Sequence, residues 1–302
     1  MEVFLLILGF IGIYVFFYSI IKGIRERRGE RHPSSSLSRS ANYKNYSERS
    51  EFSSYKPTQL PQRKCSPIDV FRNNYVSYSR LNTFKNCQRR FELVYLCGLE
   101  DHSSRPAYLG SVVHRMLEQF MKADSNGAWE ISDFGVIPKI MAYRISAEEA
   151  EGNKYIISDQ ELRDSIMSFF GLNRGLERCA VQAVEHEINT NIFGYPVKCI
   201  IDRIDIGSPE RLIDYKTGNR KSVTRAQLNF YGLCYTGSNY RPVDLQYQFL
   251  KTGESSTWTF GKAEAAAARA WMEASIQEIE GTTFFVKNTY LCNWCGVQQM
   301  CR

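Results

Sequence analysis

The chain has 302 residues, 43% of them hydrophobic and 23% charged, with nine cysteines and a formal net charge of +6. That hydrophobic share is ordinary for a globular core, and the length leaves room for one large domain or two small ones. The net charge is excluded as an argument for nucleic-acid binding, which must come from a site. The first 74 residues hold twelve Lys and Arg against six Asp and Glu, which accounts for the whole excess, and the remainder is neutral.

Val3–Ile21 reads VFLLILGFIGIYVFFYSII, nineteen residues without a charge. As a helix rising about 1.5 Å per residue, this run spans the hydrocarbon layer of a bilayer. Lys22, Arg25, Arg27, Arg28 and Arg31 follow at once, and the positive-inside rule places everything after them in the cytoplasm. A cleaved signal peptide fits less well: Glu2 stands where a basic n-region belongs, and no small-x-small cleavage site follows. Residues 1–22 are therefore expected to form a single-pass membrane anchor. Residues 23–74, basic and rich in Ser and Pro, are expected to be a disordered tether whose charge meets anionic headgroups. A folded domain is expected over 75–302. In the cytoplasm the cysteines stay reduced, so what matters is which of them carry ligand spacing.

The folded part opens with SRLNTFKNCQRRFELVYL, which places Leu81, Phe84, Phe91 and Tyr95 near helical spacing, with Ser79 as an N-cap. GSVVHRMLEQFMKA repeats the pattern through Val113, Met116, Leu117 and Phe120. Two further helical stretches are expected over 133–150 and 158–182. The period then switches. VKCIIDRIDI and RLIDYKTG, separated by the turn GSPE, read as a hairpin. A helix follows in TRAQLNFYGLCYTG, then strands in VDLQYQFL and STWTF, then the helix AEAAAARAWMEASIQEIE. The fold class is α/β, a mixed central sheet flanked by helices.

Asp202 lies in the first hairpin strand and Asp214 in the second. Lys216 is two residues beyond Asp214 and projects from the same face, while Tyr215 points away. Two carboxylates and an ammonium on one face are costly unless a divalent cation is expected there. Phosphodiester hydrolysis asks for that set: Mg²⁺ or Mn²⁺ on hard ligands polarises the phosphoryl oxygen and acidifies a water. Lys216 would orient or deprotonate the water, or pair with the scissile phosphate. D-x-K by itself is an ordinary surface pattern, and His114 by itself an ordinary helical histidine. The reading gains weight from their combination with Gln227 and Tyr231, at i and i+4 on one face of the following helix. Glu185 and Glu187 lie in a strand preceding that of Asp202, and either of them fits a site-facing position.

The order G-S-x-x-H, I-D-R-I-D, I-D-Y-K-T-G and Q-x-x-x-Y resembles the RecB-like nucleases of the PD-(D/E)XK superfamily, over roughly residues 77–302. The resemblance implies a restriction-endonuclease-like core and DNA as substrate. It implies a metal bound by His114, Asp202, Asp214 and the backbone carbonyl of Tyr215, with Lys216 as the catalytic lysine and Gln227 and Tyr231 at the edge of the site. Cys199 stands where the family has a glycine, three residues before the first Asp.

Near the C-terminus, Cys292, Cys295 and Cys301 are spaced C-x₂-C-x₅-C. With Cys87 they resemble the iron–sulfur subset of these nucleases, AddB-type and CRISPR-adaptation proteins, in which one cysteine precedes the catalytic residues and three follow; Gln88 replaces the usual proline. A structural [4Fe–4S] cluster is the expectation and a Cys₄ Zn²⁺ site the rival. The resulting expectation is a membrane-anchored, metal-dependent DNA nuclease, by family tendency an exonuclease. No G-x₄-G-K-[ST] motif is present, so processive work on duplex DNA would need a helicase partner. The alternatives are a catalytically inactive DNA-binding module and a zinc-stabilised membrane adaptor.

Overall fold

Two helical layers enclose one sheet: one combines helices from both ends of the folded region, and the other is a single middle stretch of the chain. The structure, a computed structural model, describes residues 61–123, 129–218, 223–237 and 240–301. The helices are α1 (Asp69–Arg72), α2 (Tyr78–Asn86), α3 (Gln88–Phe91, continued as a π-helical turn over Glu92–Leu96), α4 (Arg105–Ala123), α5 (Val136–Met141), α6 (Arg144–Ala150), α7 (Asp159–Leu172), α8 (Ala226–Thr236) and α9 (Lys262–Gly281). The strands are β1 (Val181–Ile192), β2 (Tyr195–Asp205), β3 (Arg211–Lys216), β4 (Val243–Phe249) and β5 (Glu254–Phe260).

The sheet runs β1-β2-β3-β4-β5, antiparallel except where β3 and β4 lie parallel across the α8 crossover. One face packs Leu81, Phe84, Phe91, Phe230, Met272 and Ile276 against Ile201, Ile204, Leu212 and Leu245. The other packs Val113, Met116, Leu117, Ile140, Leu162 and Phe169 against Ile213 and Tyr215. This is the expected α/β fold with a mixed, helix-flanked sheet. Two residues at positive φ, Phe193 (+56°) and Gly194 (+80°), make the tight β1–β2 turn, whose twist matches the strands it joins.

Several local expectations are corrected. Ser77, not Ser79, caps α2, its hydroxyl accepting from the Arg80 N–H at 3.3 Å. The first helix does not run through to Tyr95 unbroken, because Cys87 is extended (φ −159°, ψ 104°) and divides α2 from α3. The stretch 133–150 forms two short helices, and the helix expected to reach 182 stops at Leu172. There Asn173 turns inward and Gly175 (φ +83°) redirects the chain toward β1. The packed region also begins upstream of residue 75. α1 buries Val70 and Phe71 in the core, Lys64 N–H bonds the Leu96 carbonyl at 2.6 Å, and Arg63 reaches the buried Glu92 carboxylate at 2.6 Å. The expected anchor over 1–22, and the tether as far as residue 60, lie outside the described residues. Among the described residues no helix is long and apolar enough to cross a membrane.

Candidate active site

β2 and β3 pair only from Arg203–Ile213 to Asp205–Arg211. Where the next rung would fall, Asp202 Oδ2 instead accepts the Tyr215 backbone N–H at 2.7 Å. The strand changes face at this point: Val197, Cys199 and Ile201 are in one core layer, and so is Ile204, so the alternation slips across Asp202–Arg203. Across the pair, Glu185 in β1 adopts φ +49°, a rare conformation for a side-chain-bearing residue. The two irregularities open the strands and turn the Asp202 and Glu185 carboxylates toward α4.

α4 brings His114 to them. Its Nε2 lies 2.9 Å from the Tyr215 carbonyl and its Nδ1 lies 3.4 Å from Asp202 Oδ2. This close approach depends on Gly110 of the G-S-x-x-H motif, where a Cβ would stand 2.9 Å from Thr217 Oγ1 in the loop after β3. Donor atoms of His114, Glu185 and Asp202 all lie within 4.8 Å of one another. Asp214 lines the same pocket, of about 510 Å³, held by Lys216 Nζ at 2.6 Å and by the Gln227 amide at 2.9 Å. The Gln227 Oε1 accepts from Lys216 (2.9 Å), and its Nε2 also donates to the Tyr231 hydroxyl (2.8 Å). The structure thus assembles every catalytic and metal-binding residue singled out in the sequence around one cavity. Of the two glutamates left open, Glu185 faces it; Glu187 pairs with Lys198 at 2.7 Å, away from the site.

The charges are strongly coupled. Burial opposes a charged His114, but the Asp202 carboxylate, by charge and hydrogen bond, and Asp214 outweigh it and lift the imidazole to about 9. Burial raises Asp214 to about 6, with Lys216 opposing and Asp202 adding to the rise. Burial, then the negative charge of Asp202, pushes Glu185 to about 7. Asp202, though buried, is held below its ordinary range by His114. Such a site carries excess proton-binding capacity that a divalent cation would displace. The donors are hard oxygens plus one imidazole, and the buried Asp214 Oδ2 is met only by the Lys216 ammonium among the described residues. The set fits Mg²⁺ or Mn²⁺.

Behind the site, Arg203 (1% exposed) donates to the Tyr215 hydroxyl at 3.0 Å, to Asn173 Oδ1 at 2.8 Å and to Asp205 at 3.0 Å. It fixes the residue whose carbonyl faces His114. Sequence reading did not single out Arg203; a cation inside the strand pattern I-D-R-I-D was the signal, because a buried arginine must be paired. Cys199, in place of a glycine, is buried in the same core layer as Cys234 of α8.

The four cysteines set apart by spacing divide between a hydrogen-bonded pair around Asn288 and a small apolar cluster, and among the described residues their thiols do not form a ligand group of the kind that His114, Glu185 and Asp202 form. Asn288 donates its N–H to Cys87 Sγ at 3.4 Å and its amide to the Asn86 carbonyl at 2.9 Å, while the Cys292 thiol donates to the Asn288 carbonyl at 3.7 Å. Gln88 accepts the Val286 N–H at 3.0 Å, using a side chain that proline would lack. Cys295 and Cys301 pack with Leu93 and Val297, and Cys97, given no ligand role by spacing, shares that cluster. Gly296 allows this: a Cβ there would meet the His102 carbonyl at 2.1 Å.

The model of the PD-(D/E)XK nuclease superfamily matches residues 75–302. No curated protein matches the sequence. Among solved structures, a candidate exonuclease from Eubacterium rectale is similar with a TM-score of 0.48 and 12% identity, covering 76% of this chain and 88% of that one. A structure named SSO0001 is similar with a TM-score of 0.30 and 18% identity, covering 62% of this chain and 94% of that one.

Proposed function

Because the chain belongs to the PD-(D/E)XK nuclease superfamily, we propose that it is a divalent-metal-dependent deoxyribonuclease with exonuclease activity. The observation that carries this reading is the convergence of His114, Glu185, Asp202, Asp214 and Lys216 on one pocket. His114, Asp202, Asp214 and the Tyr215 carbonyl, with Glu185 beside them, would hold Mg²⁺ or Mn²⁺. When bound, the cation supplies charge neutralisation at the phosphate and lowers the pKa of water. Lys216, kept protonated by Asp214 despite burial, donates to a phosphate oxygen or orients the attacking water. Gln227 fixes Lys216 and Asp214 relative to one another, and Tyr231 fixes Gln227.

The finer parts of the proposal rest on the sequence. A [4Fe–4S] cluster on Cys87, Cys292, Cys295 and Cys301 is supported by their one-plus-three order in the sequence and by Asn288, which hydrogen-bonds both Cys87 and Cys292; Zn²⁺ is the alternative occupant. The apolar run over residues 3–21 supports an anchor that leaves the nuclease domain in the cytoplasm, and a partner helicase would supply single strands. The test is cleavage of end-labelled linear and closed circular DNA by anaerobically purified protein with Mg²⁺, Mn²⁺ or EDTA. Metal-dependent loss of label from linear DNA with circles left intact is the expected result. Nicking of circles would reject the exonuclease mode, and no cleavage with either metal would reject the enzyme.

A further inference from the structure

β2 loses β3 as its neighbour at Arg203 and acquires another at Val197, where Val76 bridges in parallel: Val76 N–H to the Pro196 carbonyl at 2.7 Å, and Lys198 N–H to the Val76 carbonyl at 2.9 Å. β1 occupies the other side of Val197, so Val76 takes the side that β3 has left. Between these two pairings lies a cavity of about 200 Å³, lined by Tyr75, Tyr78, Lys198 and Ile200. Ile200, Gln227 and Tyr231 line both this cavity and the catalytic pocket, so the two adjoin.

The chemistry of the lining is specific. Ile200 is 39% exposed, an apolar side chain left in the open on the strand that carries Asp202 two residues on. Tyr75 is held rigidly, with the Arg80 guanidinium 4.1 Å from its ring centroid and Arg80 Nη1 bonding its carbonyl at 2.7 Å. Lys198 stands 5.7 Å from the same ring and is steadied by Glu187. Tyr78 is stacked on Trp271 at 5.6 Å. Rigid aromatic and aliphatic walls beside a cation suit a nucleobase and its backbone, and they accept any base because every base has a π-face. A cavity of about 200 Å³ has room for one heterocyclic base.

We propose that this cavity seats the base of one nucleotide adjoining the scissile phosphate, and that the enzyme therefore acts on unpaired strands. The proposal rests on the nuclease reading above. A base in this side cavity has left both its stack and its partner, a cost that is least when the strand is already single.

The test uses the full chain and single-stranded oligonucleotides in which an abasic residue is stepped through the sequence. Wild type should cut intact single strands faster than blunt duplex. One phosphate, at a fixed offset from the abasic residue, should be cut about tenfold less efficiently. Ile200→Asp should raise KM on the intact strand about tenfold with kcat retained, and should add little on the strand abasic at the sensitive position. A separate binding measurement, with Ca²⁺ replacing Mg²⁺ and 2-aminopurine at that position, should show quenching by wild type that Tyr75→Ala and Ile200→Asp diminish. Equal cutting of intact and abasic strands, or blunt duplex cut as fast as single strand, would overturn the proposal while leaving the nuclease standing. Absence of metal-dependent cleavage of any DNA would overturn both.

Discussion

The ammonium of Lys216 donates to Gln227 Oε1 at 2.9 Å, which obliges the amide nitrogen of Gln227 to face the other way, toward Asp214 Oδ1 at 2.9 Å. One amide thus sets the separation of the lysine and the carboxylate. Gln227→Leu should lower kcat/KM roughly 10–100-fold with folding intact, the usual scale for losing a partner of a metal ligand. Gln227→Glu places a second carboxylate against Asp214 and should be worse. Steady-state kinetics with a circular-dichroism control checks both; equal activity of Gln227→Leu and wild type would show that the amide positions nothing.

Lys216→Ala should abolish cleavage and spare metal binding, whereas Asp202→Asn and Asp214→Asn should weaken the metal. Glu185→Gln belongs with the second group, since its carboxylate lies in the same donor cluster. Calorimetric titration with Mn²⁺ separates the two groups. A Lys216→Ala protein that cuts near the wild-type rate would remove the lysine from the mechanism.

The metal-free protein should lose stability as pH rises from about 4 to about 9, each group contributing between its ordinary value and its folded one: Asp214 from 3.8 to about 6, Glu185 from 4.5 to about 7 and His114 from 6.5 to about 9. All three are raised above their ordinary values, so within each interval the folded state holds a proton that the unfolded chain has already released, and the stabilising contribution is lost by the folded value. Asp202 is shifted the other way, but its effect lies below its ordinary 3.8 and outside this window. Mg²⁺ needs these groups deprotonated, so the rise in Tm on adding Mg²⁺ should grow from pH 6 to pH 9. Differential scanning fluorimetry at matched ionic strength reads it directly; a rise that is flat or shrinks with pH contradicts the assignment.

Anaerobically purified protein should be brown, with about four irons per chain. Cys87→Ser or Cys295→Ser should lose the iron, lower Tm and impair cleavage together. By analogy with a disulfide closing a long loop, the link is worth roughly 2–5 kcal/mol. Cys234→Ser, in the core layer with Cys199 and outside the four-cysteine set, should keep its iron. A colourless protein with one zinc per chain would replace the cluster and leave the nuclease untouched.

The convergence of the candidate site residues on one pocket was legible in the sequence because their spacing follows strand and helix periods: Asp214 and Lys216 two apart on β3, Gln227 and Tyr231 four apart on α8. Glu185 was not resolved from Glu187, because simple alternation gives both the same face; what separates them is the backbone irregularity opposite Asp202, which no local propensity signals. Helix limits failed for a similar reason. The apolar spacing beyond Leu172 continues, but Asn173 is pulled inward by Gln248 and Arg203, contacts from β4 and β2 that lie far away in the chain. The early start of the fold escaped because Ile68, Val70 and Phe71 form only a short apolar run in a polar stretch, and the burial of Val70 and Phe71 is decided by the core they enter.

The left-handed backbone at Glu185 implies a trade between durability and activity. A side-chain-bearing residue held at φ +49° costs about 1–2 kcal/mol, and a carboxylate buried beside Asp202 adds a further electrostatic burden. Glycine adopts that conformation freely and carries no charge. Glu185→Gly should therefore melt higher than wild type without metal while cutting DNA more slowly. A stabilised but sluggish variant from one substitution in β1 would mark this residue as one retained for what it does at the expense of how firmly the domain folds.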